Sequence, residues 1–181
     1  MSQVWYKNRH FWLSIMGCTY VFPIYLMYSV VSYTNSSISK LFATSFLIVG
    51  CLIVMGISTV IYELVARENT FVIGSILFML FGLIGIFKYD ETLNIHFLYA
   101  IMAFASMLSF TVLHVLHFST DVCLIVLSTV QSIAFLFMIY VLTVHRTLID
   151  DIFGMTEFVF IIAFNIAYLY VHFRNLVVPF E

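Results

Sequence analysis

The chain has 181 residues, of which 64% are hydrophobic, 18% aromatic and only 9% charged, with two prolines and a mean hydropathy of +1.12. A water-soluble domain carries about 25% charged residues, so a surface built from this composition would expose apolar area that only lipid can cover. Seven Lys and Arg against nine Asp and Glu leave a formal charge of -2, and the only basic neighbourhood is Lys7 to Arg9, which argues against nucleic acid as a partner.

A helix needs roughly 20 apolar residues to cross a hydrocarbon core about 30 Å thick. Six such runs are predicted, at about 11–32, 41–62, 70–87, 94–118, 122–144 and 152–173. The breaks between them (YTNSSISK, ELVAREN, KYDET, STD, HRTLIDD) are short and polar. The runs are continuous where barrel strands would be about 10 residues long and alternating. The predicted fold class is therefore all-α, an integral membrane six-helix bundle forming a single transmembrane domain over residues 1–181.

The first run follows Lys7 and Arg9 but lacks a small-residue cleavage site, and is read as a retained span. Placing the N-terminus inside puts Lys7, Arg9, Arg67 and Arg174 on the cytoplasmic side against Lys40, Lys88 and Arg146, so both termini are predicted to be cytoplasmic. The sequon Asn35-Ser36-Ser37 would face outward, in a loop too close to the bilayer to favour a glycan. Pro23 should kink the first span. Cys18, Cys51 and Cys123 sit inside apolar runs without a C-x-x-C pair, and read as small buried residues.

Polar residues at membrane depth must find partners, so they mark the candidate sites. Toward the outer side lie His96, His145 and Glu157, with Asp150 and Asp151 in the adjoining loop. Glu157 is the single acid read inside a span, and His96 is its natural partner. Such a pair can change charge near neutral pH, meet a lipid headgroup, or join His145 around zinc. Solvated residues at the interface are the plainer alternative. Toward the inner side, His114 and His117 lie three residues apart, with Asp121 just beyond and His172 near the end of the sixth span. That spacing permits shared zinc ligation, and His114 with His172 on facing helices would suit axial haem ligation. At mid-depth Gln131 and Asn165 are expected to hydrogen-bond each other as structural glue. Ala105 with Ser109, and Ala163 with Ala167, offer small surfaces for close helix packing. No G-x-S-x-G, H-E-x-x-H or glycine-rich phosphate loop is present.

His96-x-x-x-Ala100-x-x-x-Phe104, Glu157 followed by an aromatic residue in GMTEFVFII, His172-Phe173, and Ile38-Ser39 before the second span occur in one order over nearly the whole chain. With six spans, this pattern resembles the DRAM/Frag/Sfk superfamily. Lys40 stands where that family usually has an acid, His172 where it usually has Asp, and the first loop is short, as in the small bacterial relatives. The resemblance implies a multi-span protein tied to lipid handling, with no catalytic residues to carry over, and it raises His96 and Glu157 above the inner histidines.

Together these features favour a non-catalytic, lipid-interacting or membrane-regulatory protein, with membrane lipids as partners, further membrane proteins or a second copy as additional ones, and no cofactor. The alternatives are a zinc-dependent hydrolase using His96, His145 and Glu157 or the inner histidines, a haem-bearing electron carrier, and a small channel or transporter lined by Glu157, Gln131, Asn165 and the Pro23 kink. With one acid counted in six spans, the last is the less attractive.

Overall fold

The computed structural model describes residues 10–15, 17–18, 25, 46–66, 70–88, 94–144, 153–174 and 176. All regular structure among them is helical, in the order α1 (Phe46–Ala66), α2 (Thr70–Lys88), α3 (Asn94–His117), α4 (Val122–Val144) and α5 (Gly154–Phe173), preceded by helical residues at 10–15 and 17–18. His145, Asp150 and Asp151, and with them Pro23, Ile38, Ser39 and Lys40, lie outside the described residues.

Helices α3, α4 and α5 are each long and apolar enough to cross a membrane. Several serine and threonine hydroxyls of α3 and α4 are satisfied locally, as an apolar surrounding demands. Ser106, Ser109, Thr129, Ser132 and Thr143 donate to the carbonyls four residues back, at 2.7–2.8 Å.

The polar STD break becomes a tight connection between α3 and α4. The Phe118 N–H donates to the His114 carbonyl at 2.8 Å, and the Asp121 N–H to that of Phe118 at 2.9 Å. Asp121 then caps α4 by accepting from the Leu124 N–H at 3.1 Å, satisfying one of the donors that a helix start leaves open. Its other carboxylate oxygen receives the Tyr170 hydroxyl at 2.9 Å. One side chain thus starts α4 and ties the end of α5 to the connection, here called the turn end.

Backbones come close where α2 meets α3. A Cβ on Gly82 would stand 2.7 Å from the Ala103 nitrogen and 2.8 Å from the Tyr99 carbonyl oxygen, and one on Gly85 would run into the Tyr99 ring. Glycine is the residue that permits such an approach. Of the small pairs expected at interfaces, Ala163 and Ala167 are buried on α5, whereas Ala105 and Ser109 are half-buried and bonded to each other. Cys18 and Cys123 are exposed free thiols, contrary to the expectation of burial; the side chain of Cys51 lies outside the described residues.

The core is aromatic. Phe160 meets Phe104 of α3 edge-on, ring centroids 5.0 Å apart, and Phe135 of α4 at 6.2 Å. Phe164 meets Phe110 of α3 at 5.8 Å. Glu157, Phe160, Phe164, Tyr168 and His172 follow at steps of three and four residues, so they share one buried face of α5. That face places a carboxyl near one end, phenyl rings in the middle, and a phenol and an imidazole at the turn end.

Candidate functional site

His96 at the start of α3 and Glu157 one turn into α5 are both 3% exposed. They line one small cavity of about 20 Å³ with Phe104, Met138, Leu142 and Phe153, a volume suited to about one water molecule. Two ionisable groups from two helices therefore line one small cavity.

At the turn end the structure builds a larger polar cluster around a residue that the sequence reading assigned to a loop. Helix α1 continues to Ala66, and Glu63 on it is 1% exposed. Glu63 Oε1 accepts a hydrogen bond from the Tyr168 hydroxyl and lies 3.1 Å from His172 Nε2. His172 Nδ1 is 2.9 Å from the Tyr62 hydroxyl. The His172 ring sits edge-on to both phenols, with centroids 4.4 Å from Tyr62 and 4.4 Å from Tyr168. Neighbouring residues of α1 thus flank one imidazole of α5, Tyr62 by a hydrogen bond at Nδ1 and Glu63 at ion-pair distance from Nε2. The single acid counted within the spans becomes two.

His114 of α3 completes the cluster. Its Nδ1 bonds to the Phe110 carbonyl oxygen at 2.8 Å; a carbonyl accepts only, so Nδ1 carries the ring proton and Nε2 presents its lone pair. That Nε2 and Glu63 Oε2 are both buried and have no hydrogen-bond partner among the described residues.

The residues of the inner grouping expected from sequence are placed as follows. His117 lies about 60° around α3 from His114, which is enough to expose it while His114 is fully buried. Asp121 is engaged with Tyr170 and the α4 cap. The Phe110 ring lies against both His114 and His172, at 4.3 and 6.3 Å, and the two nitrogens of His172 face Tyr62 and Glu63. Among the described residues no three His, Cys, Asp or Glu side chains converge as metal ligands.

The mid-depth pair is corrected too. Gln131 is fully buried on α4, but neither of its amide atoms has a partner among the described residues, so it does not bond Asn165. Helix geometry gives the reason. Phe160, which faces Phe135 of α4, is five residues from Asn165 and so about 140° around α5; His172, which faces α1, is seven residues away and so about 20° from it. Asn165 therefore sits toward the α1 side of the bundle.

An apolar groove of about 320 Å³ runs between α1 and α2, walled by Ile53, Ile57, Val60, Leu80 and Leu83, with Gly56 at its base. Its size falls within the range of small-molecule sites. A Cβ on Gly56 would come 2.8 Å from the Leu80 side chain.

Comparison of the chain with protein-family models, with curated proteins and with solved structures returns no match.

Proposed function

We propose that the chain is an integral membrane protein that crosses the bilayer six times as one helical bundle, with both termini cytoplasmic, and that its role is non-catalytic and lipid-interacting. Composition supports the membrane part, as do helices of 20 to 24 residues, about 30 to 36 Å long, whose outward faces carry Leu98, Leu116, Ile133 and Leu136, all more than 60% exposed. The groove between α1 and α2 is the observation that carries the lipid part. Its walls offer an acyl chain a shaped apolar surface where a plain helix face offers only a ridge. In this reading the cavity shared by His96 and Glu157 holds α3 against α5, and the resemblance to a lipid-handling superfamily points the same way.

Photolabelling tests the proposal. The full chain is reconstituted in vesicles with phosphatidylcholine bearing a diazirine in one acyl chain, irradiated and digested. Adducts concentrated at Ile53, Ile57 and Ile84 are expected, well above those at Ile133 and Leu136 on α4. Labelling spread evenly over both helix surfaces would refute a dedicated lipid site.

A further inference from the structure

Glu63, His172, Tyr62 and Tyr168 touch one another at hydrogen-bond or ring-contact distance, and each is less than 5% exposed. The ligand that such a cluster accepts without parting its helices is a proton. We propose that this cluster is a proton-binding site open to water at the turn end of the bundle, independent of the lipid groove.

The chemistry follows from the partners. With one proton shared as Glu63 carboxylate and His172 imidazolium, the pair is electrically neutral, which lowers the cost of burying it. Tyr168 donates to the carboxylate, and Tyr62 accepts from the imidazolium Nδ1–H. A second proton, delivered by hydronium from the turn end, forms an O–H bond at Glu63 Oε2, the buried oxygen that has no hydrogen-bond partner among the described residues. Water is left behind, the carboxylate becomes a carboxylic acid, and the cluster gains one positive charge. The bare His114 Nε2 is a further acceptor in the same pocket of polarity.

Position decides the direction of access. Glu63 is three residues from the end of α1 and His172 one from the end of α5, within about 5 Å of the helix ends along their axes. In the opposite direction Phe110, Phe164, Phe160 and Phe104 stand between the cluster and the His96–Glu157 cavity, and Glu157 is fifteen residues, about 22 Å, up the same helix from His172. The geometry is that of a site reached from one side, not of a path across. Among the described residues, the titratable groups facing it are Tyr62 and Glu63 from α1, His114 from α3, and Tyr168 and His172 from α5. His117 and Arg174 lie exposed beyond it, and Asp121 is held by Tyr170.

Infrared difference spectroscopy of the full chain in vesicles, acidic minus neutral buffer, reads the proposed O–H bond as a carboxylic acid carbonyl band. With spectra normalised to folded protein, wild type should show the band, Glu157→Gln should retain it, and Glu63→Gln should lose it. If Glu63→Gln does not fold, Tyr168→Phe keeps the acid but removes its phenol donor, and the band should move to higher frequency. Absence of a band in wild type, its loss in folded Glu157→Gln, or an unchanged band in folded Glu63→Gln or in Tyr168→Phe overturns the proposal. Wild-type vesicles should also hold an imposed pH gradient; its collapse through the protein would overturn one-sided access.

Discussion

Two glycines of α2 allow a test of the packing that uses the same chemical change twice in one helix. Gly74 has open space where a Cβ would go, whereas at Gly82 a Cβ would stand 2.7 Å from the Ala103 backbone nitrogen. Adding a methyl group at either position gains helix propensity, about 0.5–1 kcal/mol. At Gly74 nothing opposes that gain, so Gly74→Ala should be neutral to stabilising by up to about 1 kcal/mol. At Gly82 the obstacle is backbone, which no rotamer change can clear, and α2 must move away from α3 at a cost of about 1–3 kcal/mol. Gly82→Ala should therefore fall about 1–3 kcal/mol below Gly74→Ala in reversible unfolding of the detergent-solubilised protein by a denaturing surfactant. Gly85 supplies an internal check, because its obstacle is the Tyr99 ring, a side chain. Tyr99→Ala should rescue Gly85→Ala and leave Gly82→Ala unrescued. Equal stabilities for the Gly74 and Gly82 variants, or equal rescue at Gly82 and Gly85, would refute the close approach of α2 and α3.

Three further outcomes follow from the polar contacts. Tyr168→Phe removes the donor to Glu63 and should destabilise the bundle by about 0.6–1.7 kcal/mol, the range for hydrogen bonds between membrane helices, measured by the same unfolding; no change would mean that the bond contributes nothing. Asp121→Ala should lose about 0.5–2 kcal/mol for the cap, Asp121→Asn should recover most of it, and Tyr170→Phe should add little on an Asp121→Ala background because the acceptor is already gone. Glu157→Gln should lower the folded yield or the lipid carried through purification, and an unchanged size-exclusion profile with unchanged lipid would count against a role for the shared cavity.

The parts of the fold that were legible in the sequence are those set by one local signal. The α3–α4 connection is an example: two long apolar runs separated by Ser119, Thr120 and Asp121 admit little but a tight turn with an acidic cap, and the helices Asn94–His117 and Val122–Val144 lie within the segments expected there. The candidate site was legible in part. His96, Glu157, His114 and His172 stand out because polar side chains are rare in such runs, but which of them meet is a matter of helix rotation. The i, i+3 step from His114 to His117 looks like a shared face in one dimension and separates a buried ring from an exposed one in three. Gln131 and Asn165 fail in azimuth for the same reason. Glu63 was missed because a carboxylate at the end of an apolar run reads as the start of a loop; it stays inside the bundle because Tyr168 and His172, more than 100 residues away in sequence, come to meet it. The available signal was its depth, which matches that of His172 at the same end of the bundle. Gly82 and Gly85, three apart in one span, were the other unused clue.

The most direct test of the lipid-interacting reading is the number of lipid molecules retained per protein after detergent purification, compared between wild type and Ile57→Trp. Ile57 lines the groove and is 56% exposed, so the indole fills the groove without entering the core. Retained lipid should fall by at least half in Ile57→Trp, with folding and thermal stability unchanged, while Leu136→Trp on the outward face of α4 retains the wild-type amount. Equal retention in all three proteins would contradict the account.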